Sequence, residues 1–288
     1  KYDWTVAKEL PPHGEINLPE ALIFSCNPYN YHIGLEVYNK EPEFLPKIAR
    51  AFGLGVPTGT TGLSQDNNEE VGGLVPSDAW KQANVGEPWS AGDSVNMAIG
   101  QGFLQVTPLQ MANIYAAIGN GGTLYRPSLV SYIAAPGEEP VYQFQPEVIG
   151  QLPLTPEQLE VIREGLYGVV NNPRGTARHR FLGLQIPVYG KTGTAETTTG
   201  GTPHAWFTGY TLANRADKPD IAIAVILSNR GEGSEWAAPV FRRIVESYFF
   251  GQPTTLYHWE AEIGLTATPT ETPTGTPPAP LETSTPTP

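Results

Sequence analysis

The sequence predicts an α+β fold in which helices cover an antiparallel sheet. Three observations carry that expectation: two helix starts built on the same capping device, three consecutive β-like runs joined by short connections, and a closing amphipathic helix. The 288 residues suffice for one large core. The expected organisation is a domain over residues 1–252 and a tail over 253–288.

Taken in order, residues 16–24 read as a helix with Leu18, Ala21, Leu22 and Phe24 apolar, and Pro28 marks its stop. Residues 58–96 are rich in Gly, Ser, Asp and Pro with little periodicity, and predict a long loop pinned by Trp80 and Trp89. Thr107-Pro108-Leu109-Gln110 and Thr155-Pro156-Glu157-Gln158 each supply a capping threonine, a proline in the first turn and a glutamine three residues after the cap. The first helix places Met111, Ile114, Tyr115 and Ile118 on one face. The second does the same with Leu159, Ile162, Leu166 and Val169.

The β-like runs are 186–196, 204–211 and 221–227, and their short connections predict a meander. The last run is nearly all apolar, which predicts burial on both faces. A helix near Pro239 then carries Val240, Phe241, Ile244, Val245 and Tyr248 toward the sheet. From Thr266 onward a Thr/Pro-rich stretch without aromatics has too little apolar surface to offset chain entropy, so it predicts an extended, disordered tail.

Composition excludes several classes of function. With 29 acidic and 17 basic residues the net charge is −12, which opposes binding to a phosphate backbone, so nucleic acid is not an expected partner. The lone cysteine, Cys26, cannot form an internal disulfide. The histidines, His13, His32, His179, His204 and His258, lack metal-ligand spacing, and neither a metal site nor a cofactor is expected. The opening residues hold neither a signal-like basic stretch nor an apolar anchor.

The segment Gly190-Lys191-Thr192-Gly193-Thr194 is the most informative in the chain. On a strand, Lys191 and Gly193 point to one side, Thr192 and Thr194 to the other. Gly193 removes a side chain where a ligand backbone can approach, leaving strand N–H and C=O groups to pair with it beside a cation. Ser25-Cys26-Asn27 is a second polar constellation, placed just after the first helix. Cys26 reads as a small buried side chain without a flanking cation. His204, Trp206, Phe207 and Tyr210 read as core or cleft wall on the neighbouring strand.

Ser-x-Asn followed much later by Lys-Thr-Gly is the order of two of the three motifs of penicillin-binding proteins and β-lactamases. The stretches HGEINLPEALIFSCNPYNYHIG, NMAIGQGFLQVTPLQMANIYAAIGNGG, GKTGTAE, HAWFTGY and AAPVFRRI resemble class B penicillin-binding proteins in the same order. The resemblance covers residues 14–250. It implies the penicillin-binding protein/serine β-lactamase-like transpeptidase fold, here incomplete at the N-terminus. It also implies a peptidoglycan D,D-transpeptidase working through a serine acyl-enzyme.

On that resemblance, Ser25 matches a proton relay, Asn27 the residue that holds lysine and substrate amide, and Lys191 the cation of the site. The Thr192 and Thr194 hydroxyls match the groups that meet a carboxylate. Gly193 keeps the strand close to the ligand, and the Thr194 N–H forms half of an oxyanion hole. The implied partners are D-Ala-D-Ala stem peptides, β-lactam antibiotics and a membrane glycan polymerase. The implied location is the extracytoplasmic face of the bacterial plasma membrane, with an anchor upstream of Lys1.

One motif is absent. The residues three positions before Lys8, Lys40, Lys47, Lys81, Lys191 and Lys218 are Thr5, Val37, Phe44, Asp78, Val188 and Arg215, so no Ser-x-x-Lys nucleophile occurs in these residues. The nucleophile is therefore expected outside the chain. A serine β-lactamase and a non-catalytic β-lactam or muropeptide sensor remain as alternatives.

Overall fold

The computed structural model of the chain describes residues 3–60, 69–197, 200–254, 256–257 and 260. Seven helices come first: α1 (Trp4–Ala7), α2 (Leu18–Ile23), α3 (Asn27–Lys40), α4 (Phe44–Ala51), α5 (Asp78–Val85), α6 (Ala91–Met97) and α7 (Pro108–Gly119). Four short strands follow, β1 (Thr123–Tyr125), β2 (Tyr132–Ile133), β3 (Tyr142–Gln143) and β4 (Val148–Gln151). The remainder is α8 (Pro156–Asn171), α9 (Arg178–Phe181), β5 (Val188–Ala195), β6 (His204–Thr211), β7 (Ala222–Leu227) and α10 (Ala237–Phe250).

β5, β6 and β7 form the expected antiparallel meander, in that order. The register sets Lys191 opposite Thr208 and Thr194 opposite Ala205. Alternation then gives the sheet two faces. On one, Phe207 meets Phe241 of α10 at 4.8 Å between ring centroids and Phe181 of α9 at 5.3 Å. On the other, Tyr189 stacks on Tyr210 at 5.1 Å and meets Tyr167 of α8 at 5.2 Å. Lys191 has the parity of Tyr189 and so faces α8.

Both predicted capping boxes form. Thr107 Oγ1 accepts from the Gln110 N–H at 3.1 Å and Thr155 Oγ1 from the Gln158 N–H at 3.3 Å, while each glutamine accepts from its threonine's N–H at 2.9 Å. Each cap is worth about 1 kcal/mol. α7 buries Ile114, Tyr115 and Ile118, and α8 buries Leu159, Leu166 and Val169.

Four expectations need correction. Residues 58–96 are not one long loop, since α5 and all but the last residue of α6 lie within them, capped by Ser77 and Ser90. Trp89 is buried there and its indole N–H donates to Ser94 Oγ at 2.8 Å, while Trp80 packs on Phe103. Pro28 does not merely stop a helix. It sits in the first turn of α3, where a missing N–H is harmless. β7 buries only Val225, because it is the outer strand of the described sheet and its apolar run has no second neighbour. Finally, α10 turns Ala237, Ala238, Phe241 and Val245 inward and leaves Ile244 exposed, the buried stripe being spaced by four.

Two compact units result, Lys1–Val245 and Glu246–Pro288. Within the second, the Thr254 N–H donates to the Glu246 carboxylate at 3.2 Å. The Thr/Pro-rich tail lies outside the described residues. No described helix is long and apolar enough to cross a membrane.

α2 lies unusually close to α8 because glycines face it. A Cβ on Gly165 would sit 2.6 Å from Leu22 Cδ1, and one on Gly168 2.4 Å from Ile23 Cδ1. Gly175 is as tight, with a Cβ 2.4 Å from the Gly168 carbonyl oxygen and 2.5 Å from that of Val169. Those are backbone atoms and cannot rotate away. Gly175→Ala should therefore lower stability by about 1–3 kcal/mol in thermal unfolding. Gly92→Ala, whose Cβ meets only Ser90 Oγ at 3.6 Å, should be neutral or slightly stabilising.

Candidate active site

Lys191 projects from β5, and its ammonium donates to Ser25 Oγ at 2.8 Å and to the Thr192 carbonyl at 2.9 Å. Thr192 Oγ1 lies at the longer distance of 3.5 Å. Every one of these acceptors is neutral, and no carboxylate ion-pairs with Lys191 among the described residues. The residue is half-buried, and burial pushes its pKa down to about 8.

Ser25 reaches this position through the way α2 ends. Its N–H donates to the Leu22 carbonyl and the Cys26 N–H donates to Ala21, the paired bonds of a left-handed helix terminus. Ser25 holds the left-handed position itself, at φ 52°, where glycine is usual. A side chain there costs about 1–2 kcal/mol. Trp4 holds the same terminus by donating its indole N–H to the Phe24 carbonyl at 3.0 Å. Asn27 opens α3, and its N–H donates to Asp3 Oδ2 at 3.0 Å. The structure thus joins Ser25 to Lys191 directly, while the hydrogen bond recorded for Asn27 runs from its backbone to Asp3.

Thr192 Oγ1 pairs with Thr176 Oγ1 at 2.9 Å, and the Thr194 side chain is exposed. A Cβ on Gly193 would meet Trp206 Cβ at 3.1 Å, so cross-strand packing also favours glycine there. His204 is half-buried and its Nδ1 accepts from the Asn229 N–H at 3.0 Å, while Phe207 and Tyr210 are core.

Two neighbours escape sequence reasoning. Thr176 also donates its N–H to the Ile23 carbonyl at 3.3 Å, tying the end of α2 to β5, and its only signal is a Gly-Thr pair in a turn. Gln101 bonds the outer edge of β5 at Thr194 and Glu196. Its Gly100-Gln101-Gly102 turn is too short to announce a ligand by itself.

Residues 1–246 match the penicillin binding protein transpeptidase domain family. The chain belongs to that family. It is 33% identical over 256 residues to peptidoglycan D,D-transpeptidase MrdA of Haemophilus influenzae, covering 82% of this chain and 37% of that protein. A solved peptidoglycan synthase complex, described as coordinating polymerization and crosslinking, matches with TM-score 0.69 and 30% identity over 89% of this chain and 41% of that one. Penicillin-binding protein A of Mycobacterium tuberculosis, solved as an imipenem acyl-enzyme, matches with TM-score 0.64 and 25% identity over 83% and 50%. This transpeptidase-family chain therefore spans between about a third and a half of the length of these relatives.

One further cluster lies beside Ser25 in the transpeptidase-family fold. Asp3, His13 and Cys26 bring one ligand-type atom each to within 4.8 Å of one another, and they are the group among the described residues that could hold a metal ion. His13 Nε2 is buried without a hydrogen-bond partner, 3.5 Å from Asp3 Oδ1. The spacing of the histidines along the chain carries no sign of this, because the three groups meet only through folding. The Cys26 thiol is pushed up, first by its burial.

The burial of Lys191 has a measurable sign. Its ordinary pKa is 10.5, so between about pH 8 and 10.5 the unfolded chain holds a proton that the folded chain has released. Burial then costs stability below pH 8 and the cost disappears as pH rises toward 10.5. The melting temperature of wild type relative to Lys191→Met should rise across that window. A flat difference would mean that the ammonium remains solvated.

Proposed function

We propose that this chain is the C-terminal part of a peptidoglycan D,D-transpeptidase domain, with its nucleophilic serine supplied from outside these 288 residues. One observation carries the reading: an ammonium with only neutral partners, bonded to a serine and set beside a strand edge whose Thr194 N–H faces outward. An uncompensated cation beside hydroxyls and an open N–H suits a peptide that ends in a carboxylate and reacts at a nearby carbonyl.

In the proposed reaction the serine Oγ bonds to the carbonyl carbon of the penultimate D-Ala while the C–N bond to the terminal D-Ala breaks. The departing amine takes up a proton. An amine of a second stem peptide then attacks the ester, forms the new amide, loses its proton and releases the serine. Ser25 relays the proton, Lys191 sets the electrostatics, and Asn27 orients the acyl donor. Thr192 and Thr194 receive the carboxylate and the Thr194 N–H half of the oxyanion, while Gly193 keeps the strand accessible. β-Lactams would acylate the same serine.

A membrane glycan polymerase as partner and an extracytoplasmic location belong to the same proposal, supported by the synthase complex among the relatives. The chain as given should form no covalent adduct with penicillin in intact-protein mass spectrometry. The parent gene product carrying a Ser-x-x-Lys segment should form one, and Ser25→Ala in it should slow acylation by about 10²- to 10⁴-fold. A stoichiometric adduct on this chain would place the nucleophile elsewhere. An intact parent without Ser-x-x-Lys and without acylation would favour a non-catalytic sensor.

A further inference from the structure

Thr192, Thr194 and Glu196 share the side of β5 that faces away from β6, because alternate residues of a strand point their N–H and C=O groups the same way. Lys191 takes the Thr192 carbonyl. The Gln101 carboxamide takes the next position: Nε2 donates to the Thr194 carbonyl at 2.9 Å and Oε1 accepts from the Glu196 N–H at 3.3 Å. A single side-chain amide thus engages two ladder groups that an added strand would use. The Thr194 N–H, between them, has no partner among the described residues.

We propose that Gln101 is an internal stand-in for the acyl donor, holding the edge of β5 until the donor's own backbone displaces it. The inference rests on the transpeptidase reading. A donor residue paired antiparallel with Thr194 exchanges both bonds with it: its carbonyl oxygen meets the Thr194 N–H, and its own N–H meets the Thr194 carbonyl. That second position is where Gln101 Nε2 sits, so the two compete for it.

The surroundings of Gln101 suit displacement. Both of its side-chain bonds are exposed to solvent, and water can take them over. Its backbone is fixed, with the N–H donating to the Asn96 carbonyl at 3.0 Å and glycines on either side at φ 73° and 83°. The side chain makes no other hydrogen bond among the described residues, so it can swing out while the turn stays in place. Until then it also covers an edge that would otherwise invite a foreign strand.

The test compares two acylating agents on the parent protein. Benzylpenicillin carries an amide N–H beside its reactive carbonyl, and sulbactam, a penam sulfone, carries no such group. In Gln101→Ala the second-order rate constant for benzylpenicillin should rise about three- to tenfold, with that for sulbactam changed less than about twofold. Gln101→Glu, whose carboxylate cannot donate to the Thr194 carbonyl, should raise the ratio of the two constants in the same direction. A ratio unchanged or lowered in both variants, in a wild type that acylates normally, would overturn the inference alone. A parent protein acylated by neither compound would overturn the transpeptidase reading and this inference with it.

Discussion

The site depends on keeping one ammonium out of water without giving it a counter-ion. Lys191 lies on β5 with Ser25 Oγ and the Thr192 carbonyl as its close acceptors. Neutral acceptors satisfy hydrogen bonds but not charge, so the cost of desolvation appears as a depressed pKa. Such a group persists only where the surrounding structure fixes it. Much of the adjoining architecture does that, since Ser25 must arrive from a distant part of the chain at a defined distance from a strand.

α8 is the spacer that sets this distance. It packs on α2 through Gly165 and Gly168 and on β5 through Tyr167 and Tyr189. Thr176, just beyond its end, then bonds both the last turn of α2 and the Thr192 hydroxyl. A methyl group added between these elements would push the serine from the lysine, because close-packed interiors transmit small volume changes as displacement. The glycines are thus tied to the chemistry through geometry, although none touches the Lys191 ammonium.

Much of this was legible in the sequence, for physical reasons that differ by element. α7 and α8 declare themselves because capping and amphipathicity are local, and the meander because its strands are neighbours in the chain. Ser25 and Lys191 are legible as motif members, but the 2.8 Å bond between them is a product of tertiary packing. Thr176 and Gln101 have no periodicity to report them: each acts by one side chain reaching another element. Asp3, His13 and Cys26 are hidden for the same reason. The partial burial of β7 and the exposure of Ile244 escape the sequence because an apolar run specifies what prefers burial, while neighbours decide what obtains it.

The charge pattern gives the solitary ammonium its meaning. In a chain of net charge −12, carboxylates are abundant, and Lys8, Lys47 and Lys81 each meet one, as do Arg126 and Arg215. Lys81 is the instructive comparison, being more deeply buried than the half-buried Lys191 but bonded to Asp93 at 2.7 Å, which raises rather than lowers its pKa. A carboxylate at Lys191 would have stabilised the fold in the same way and filled the site permanently. Leaving the cation without one forgoes that stability, and under the proposed function it would keep the position for an anion that comes and goes. In the proposed reading, the hydroxyls of Thr192 and Thr194 would form the neutral half of a carboxylate receptor whose charged half is Lys191. Under the proposed transpeptidase reading, the depressed pKa of Lys191 and the outward N–H of Thr194 would then have a common cause, a site completed by its substrate.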